Sequence, residues 1–230
     1  MEPLSCAGSL QYIGGRFNAG AELDSNTLKP WPALYLAEDY ETAFREKFQL
    51  PSDELVEGLS PQELALQPGE SHAAVFLRGH LSRVFDMTSV EALAPIAKVL
   101  RQIKMPEQAL KIQRSMKIAG RGVFMISTGK QLHDAALRPN WRVLPIQFGL
   151  PAHSQILADL IRAADFEAIL YRSTKGPGKC LAVYPDLLRD GSFVELIDDA
   201  PSACKYRRLD ENSAADLEGW ESLPRQLRLR

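Results

Sequence analysis

The apolar runs of this chain are short, and that limits its fold more than any other feature. Residues 33–37, 73–77, 84–87, 168–171, 180–184 and 193–196 each have the length of one buried strand. Segments with helical spacing lie between them, but strand and helix do not alternate regularly. A doubly wound parallel sheet needs a crossover helix after each strand, so the pattern points to an α+β fold of short mixed or antiparallel strands flanked by helices. No apolar run approaches the ~18 residues of a membrane span. Hydrophobic residues make up 45% of the 230 and charged ones 24%, globular proportions that predict a core without disulfides or structural metal.

The expected organisation is one domain over residues 1–230, with insertions near 51–70 and 98–140 and a polar tail over 198–230. Tyr40, Ala43, Phe44 and Phe48 share one face of a helix that starts at Glu38-Asp39 and ends near residue 50, before Pro51. The acidic, proline-rich stretch 51–70 reads as an exposed insertion with a short helix from Pro61. Thr88 and Glu91 have the spacing of a capping box, predicting a helix through Val90, Leu93, Ala97 and Leu100, kinked at Pro95. Pro106 and Gly120 bracket a second helix. Residues 141–148 contain Pro145 and read as an irregular strand or extended segment. Ile156, Leu157, Leu160, Ile161 and Ala164 form the clearest helical stripe, over 154–165. The tail from Asp198 ends in a short helix or disorder.

Twenty-seven Lys and Arg balance 29 Asp and Glu, a net charge of −2 that excludes a nucleic-acid binder by bulk charge. The balance is uneven. Lys98, Arg101, Lys104, Lys111, Arg114, Lys117 and Arg121 stand against only Glu107, giving a solvated helix face or a docking face for an acidic partner or nucleic acid. Cys6, Cys180 and Cys204 form neither a disulfide framework nor a zinc knuckle and suit a reducing cytoplasm. The N-terminus has no basic, apolar leader. His72, His80, His133 and His153 lack the spacing of helical metal ligands, so no metal is expected. Gly129-Lys130 and Gly178-Lys179 lack the frame of a phosphate-binding loop. Neither a G-x-G-x-x-G turn nor a G-x-S-x-G elbow occurs.

Three segments stand out together: Gly14-Gly15-Arg16-Phe17-Asn18; Ala33 to Glu38 with Thr42-Ala43-Phe44-Arg45-Glu46; and Ile169 to Thr174 with Leu181 to Pro185. Their order and spacing resemble the RES family, named for its Arg, Glu and Ser. The early G-G-R-[FW]-N falls on residues 14–18, the strand tyrosine on Tyr35, the A-x-x-E on Ala43 and Glu46, and the late serine on Ser173. Phe85-Asp86-Met87-Thr88 is similar to the family's D-[LM]-T step, and Ser154-Gln155 to the start of its helix before the serine. This chain departs from the family at Ser173-Thr174, where Ser-Ala is common, and at Lys179-Cys180, where Asn often precedes the last strand.

The resemblance implies an ADP-ribosyltransferase-like fold that consumes NAD⁺, often as the toxin of a bacterial toxin–antitoxin pair blocked by an Xre-like antitoxin. It implies an NAD⁺ glycohydrolase or phosphorylase. The alternative is an ADP-ribosyltransferase acting on a specific intracellular protein, and a third reading is a non-catalytic binding module using the basic 98–121 segment. Cleaving the nicotinamide–ribose bond builds positive charge on the sugar, which a fixed carboxylate stabilises. Glu46 is the candidate because it fits A-x-x-E; Glu38 and Glu41 are rival carboxylates. Arg16 can hold pyrophosphate or ribose oxygens with a two-pronged bond. Tyr35 offers a ring to a cationic pyridinium, and Ser173 can orient a ribose hydroxyl or the glutamate, having no adjacent base to make it a nucleophile. Each residue also has an ordinary reading: a turn arginine, a core tyrosine, a solvated glutamate and a turn-capping serine.

Overall fold

The computed structural model describes residues 2–24, 26, 28–48, 74–102, 110–111, 114–115, 125–197 and 204–219. Among them the chain forms β1 (Leu34–Ala37), α1 (Tyr40–Phe48), β2 (Leu77–His80), β3 (Val84–Asp86), α2 (Ala94–Leu100), α3 (Gly129–Ala136), α4 (Val143–Phe148), α5 (His153–Ala163), β4 (Ala168–Arg172), β5 (Lys179–Val183), β6 (Phe193–Leu196), β7 (Arg208–Leu209) and α6 (Ala214–Glu218). The fold is α+β. One sheet has the order β1-β5-β4-β3, antiparallel except for the parallel β3/β4 pair; the other has the order β2-β6-β7 and is antiparallel.

Strand alternation explains how the larger sheet is covered on both faces. Tyr35 and Ala37 of β1, Ile169 and Tyr171 of β4, and Cys180 and Ala182 of β5 point into a core shared with Phe17, Trp31, Leu132, Leu157 and Ile161. The intervening Leu34, Leu36, Ala168, Leu181 and Val183 point into a second core with Leu4, Val194, Leu209 and Leu217. Register fixes this division, since Leu34 and Ala168 both lie opposite Val183. A one-residue slip would exchange the two faces.

Several sequence expectations are corrected. Helix α1 turns Thr42 (0% exposed) and Arg45 (6%) inward beside Phe44 (8%), the one buried residue of the expected apolar face, whereas Tyr40 of that face is 46% exposed. The Tyr40, Phe44 and Phe48 rings pack edge-tilted against one another in series, at 6.0 and 4.5 Å between centroids. Residues 74–76 precede β2 rather than belong to it, because pairing of Leu77 with Leu196 and His80 with Phe193 sets the strand at 77–80. Thr88 and Glu91 make no capping box. Thr88 Oγ1 donates to Asp86 and Ser89 Oγ to Glu91, and a 3-10 turn over Val90–Leu93 leads into α2. Pro95 lies in the first turn of α2, where a missing N–H costs nothing, and so makes no kink.

The capping box is at Thr128, whose side chain accepts from Gln131 N while Gln131 Oε1 accepts from Thr128 N. Residues 143–148 are helical, not extended. Pro145 stands in the first turn of α4, and Gly149 ends it in the left-handed conformation at φ 65°. The buried side of α5 is Ser154, Gln155, Leu157, Ala158 and Ile161, while Ile156 and Leu160 are exposed. Gln155 faces inward because three backbone carbonyls meet it there. The tail holds β7, paired with β6, and α6, with Leu209, Ala214 and Leu217 buried.

The insertion near 51–70, Lys104, Lys117, Arg121, the chain end from residue 220, and all of the helix expected from Pro106 to Gly120 except residues 110–111 and 114–115 lie outside the described residues. Of the basic segment, Lys98, Arg101, Lys111 and Arg114 are described and exposed.

Candidate active site

The site is built on a loop with no room for side chains at two positions. Gly14 has φ +80°, and a Cβ there would come within 2.5 Å of Asn18 O and Gly20 N. A Cβ at Gly15 would fall on the Tyr35 hydroxyl and lie 2.7 Å from Asn18 Oδ1. The loop backbone therefore packs directly on the β1 tyrosine. Tyr35 Oη accepts from Phe17 N at 2.8 Å and donates to Asn18 Oδ1 at 2.9 Å, and Gly15 N donates to the same oxygen. From below, Gln155 Nε2 donates to the carbonyls of Ile13, Gly15 and Asn18, and Tyr184 Oη donates to Phe17 O. Burial pushes the Tyr35 and Tyr184 hydroxyls well above the usual phenol range, so both remain donors.

This scaffold aims Arg16 inward, only 8% exposed. Its Nη1 donates to the carbonyls of Ala136 and Arg138, at the end of α3, and its Nη2 to Thr174 Oγ1 at 3.0 Å. The guanidinium lies 5.7 Å from the Trp141 ring centre, and Arg142 stands 4.5 Å from the same ring. Burial lowers the Arg16 pKa, opposed by Tyr171, Glu46 and Tyr35; its intrinsic value is high enough that it stays charged. Burial also lowers that of Arg142.

Glu46 projects from the inward side of α1 and meets the turn after β4. Ser173 Oγ donates to Glu46 Oε1 at 2.6 Å, and Thr174 N donates to the same oxygen at 3.2 Å. Ser173 Oγ itself accepts from Lys175 N and Gly176 N. With two backbone donors on that oxygen, the one hydroxyl proton is directed at the carboxylate. The turn is docked on α1 by Gly178 N, which donates to Thr42 Oγ1, itself bonded to Asp39.

Arg16, Tyr35 and Glu46 line one cavity of about 440 Å³, closed by Trp141, Arg142 and Cys180. Ser173 stands behind Glu46 as its donor. The four residues singled out in the sequence thus come together from a loop, a strand, a helix and a turn. The rival carboxylates go elsewhere: Glu38 accepts from Lys179 N, and Glu41 pairs with Arg45. Sequence reasoning missed Trp141 and Arg142, whose adjacency just ahead of Pro145, in the first turn of α4, was the available signal. It also gave no role to Thr174, which touches both Arg16 and the Glu46 carboxylate. Burial pushes the Cys180 thiol up to about 12, so no thiolate nucleophile stands in the cavity wall. Among the described residues, no group of three or more His, Cys, Asp or Glu is placed to hold a metal ion.

The cavity combines one held carboxylate, two arginines, the nearby Lys47 and aromatic rings. Such a set binds an anionic ligand and stabilises positive charge at one point on it. Against known sequences, the model of the RES domain family matches residues 3–201. No curated protein and no solved structure matches the chain.

Proposed function

The chain belongs to the RES domain family, and from that premise we propose that this cavity consumes NAD⁺ by breaking the bond between nicotinamide and ribose. Glu46 faces the ribose and stabilises the positive charge that develops as the bond lengthens. Ser173 and Thr174 hold its Oε1 in advance, so the carboxylate need not reorient during the reaction. Arg142 takes the pyrophosphate. Arg16, with three contacts already made inside the protein, supplies fixed positive charge and holds Thr174. The rings of Tyr35 and Trp141 offer π faces to the cationic pyridinium. Ser173 is a positioning residue, since its proton is committed to Glu46.

The 2.6 Å bond from Ser173 to Glu46, on the wall shared with Arg16 and Tyr35, is the observation that carries this reading. An ADP-ribosyltransferase-like fold, a toxin role, an Xre-like antitoxin as partner and action in the cytoplasm belong to the proposal through the family. No helix among the described residues is long and apolar enough to cross a membrane. The acceptor is water or phosphate in the leading form. Transfer to a protein is the second form, supported by the exposed Ile146 and Phe148 on α4, beside the Trp141-Arg142 wall, where a protein acceptor can rest.

Purified protein given NAD⁺ with water, phosphate or lysate in parallel is expected to release nicotinamide, with the products identified by mass spectrometry. ADP-ribose indicates water, ADP-ribose 1-phosphate indicates phosphate, and a labelled protein band indicates transfer. No nicotinamide in any arm would refute the proposal.

A further inference from the structure

The Glu46 carboxylate and the Ser173 hydroxyl come from different elements, so a contact elsewhere must set the distance between α1 and the 173–178 turn. That turn is a closed unit. Ser173 N donates to Gly178 O, and Lys175 N and Gly176 N donate to Ser173 Oγ. Moving Gly176 or Gly178 therefore moves Ser173 with it. One helical turn before Glu46, on the same face of α1, stands Thr42. It meets the turn at residues 176–178, as Glu46 meets it at 173–174.

Thr42 is fully buried. Its Oγ1 donates to Asp39 Oδ2 at 2.9 Å, and its lone pairs are left for Gly178 N, which donates to it at 2.9 Å. The start of α1 has no need of that hydroxyl, because Asp39 Oδ1 already accepts from Thr42 N and Asp39 O from Ala43 N. A valine would fill the same space, so what the hydroxyl adds is its hold on the turn. Both glycines of the turn fit this contact. A Cβ at Gly176 would stand 2.7 Å from Thr42 Cα, and one at Gly178 would fall on Asp39 Oδ2. Neither glycine has a positive φ, so close approach to α1 is what excludes a side chain there.

We propose that Thr42 is a positioning residue for Glu46: its hydroxyl clamps the 173–178 turn to α1 and so sets the distance over which Ser173 and Thr174 hold the carboxylate. The assignment rests on the reading of Glu46 as the group that stabilises the charge developing on the ribose. The contacts form a ring, from Glu46 to Ser173, through the turn to Gly178, to Thr42, and back along one turn of α1. Opening the ring at Thr42 leaves the Glu46 and Ser173 side chains in place but lets their elements drift apart. A carboxylate free to reorient loses transition-state stabilisation, while the arginines and aromatic rings of the cavity bind the substrate as before.

Two measurements test it on the full chain. The first is steady-state nicotinamide release by wild type, Thr42→Val, Thr42→Ser, Glu46→Gln, and Thr42→Val combined with Glu46→Gln. The second is amide hydrogen exchange at Thr174, whose N–H donates to Glu46 Oε1, with the Tyr184 amide, bonded to Glu167 O, as the core reference. Loss of the clamp predicts about a tenfold fall in kcat for Thr42→Val with KM within about twofold, recovery by Thr42→Ser, and no further loss where Glu46 is already glutamine. Exchange at Thr174 should quicken about tenfold relative to Tyr184 in Thr42→Val and stay at the wild-type rate in Thr42→Ser. Gly176→Ala keeps the hydroxyl but pushes the turn off α1, and should reproduce both effects even where Thr42→Val does not fold. Exchange is read whether or not NAD⁺ is cleaved. Selective quickening at Thr174, with no nicotinamide release from wild type, would keep the clamp and remove the cleavage reading. Nicotinamide release with a wild-type kcat in Thr42→Val would overturn the clamp and keep cleavage. An unchanged Thr174 amide, equal quickening at Tyr184, or losses that multiply with Glu46→Gln would overturn it as well.

Discussion

The two cores on either side of the β1-β5-β4-β3 sheet are held in different ways. On the face of Leu34 and Val183 the contacts are apolar: Leu4, Leu209 and Leu217 are fully buried and pack on the strands. On the face of Tyr35 and Tyr171 the apolar packing is interrupted by buried polar side chains. Asn18 and Gln155 are fully buried, and Arg16 nearly so. They hold backbone and side-chain groups of the 13–18 loop and the 173–174 turn. Hydrophobic contact is non-directional and resists collapse of the fold equally well in many arrangements. A hydrogen bond fixes a direction, and a buried one left unmade is costly. The difference teaches where position matters to this protein: the polar face locates a carboxylate and two arginines, and the apolar face supports it.

The largest effects separate stability from positioning. Gln155→Leu removes the side-chain donor that ties the carbonyls of Ile13, Gly15 and Asn18 together and should cost about 3 kcal/mol in urea unfolding. Leu217→Ala should cost a similar ~2–5 kcal/mol on the apolar side. At a temperature where both variants remain folded, nicotinamide release should fall sharply in Gln155→Leu and stay near wild type in Leu217→Ala. Equal loss in both would break the distinction between the faces.

A smaller effect is expected at Thr174. Thr174→Val keeps the backbone donor to Glu46 but removes the acceptor for Arg16 Nη2. A hydrogen bond to a charged group predicts about a tenfold drop in kcat/KM with little change in unfolding, recovered by Thr174→Ser. A Thr174→Val enzyme with wild-type kinetics would show that the link between Arg16 and the turn is incidental.

The smallest effect lies on the apolar side. Burial, with Asp186 nearby, raises the Glu218 pKa from 4.5 to about 6. Between these values the folded protein binds more protons than the unfolded chain, so this group lowers stability as pH rises through the window. Glu218→Gln should flatten that part of the Tm-against-pH profile and raise Tm above pH 6, with NAD⁺ cleavage unaltered. A Tm profile identical to wild type would remove the assigned burial cost.

Strand placement and the site anchors were readable in the sequence for a physical reason. Runs such as 168–171 and 180–184 are buried on both faces and so are apolar throughout. Arg16, Tyr35, Glu46 and Ser173 were found through their order along the chain. Which way a helix faces was harder to read. The stripes on α1 and α5 were rotated because Thr42 and Gln155 satisfy partners inside the protein, and hydrophobicity counts such residues as outward. The same blindness hid Thr174, whose contacts cross more than a hundred residues, and Trp141-Arg142, which lead into a helix whose first turn holds Pro145, a residue that reads equally as a strand breaker.

The central claim is that Glu46 acts from a position set by Ser173. The most direct test is single-turnover nicotinamide release from NAD⁺ by wild type, Ser173→Ala, Glu46→Gln and the double variant. The account predicts a loss on the order of 10²–10³-fold for Glu46→Gln, a smaller loss for Ser173→Ala, and a double variant no slower than Glu46→Gln alone, because the serine has nothing left to position. Losses that multiply in the double variant, or a Glu46→Gln protein that still releases nicotinamide at the wild-type rate, would contradict it.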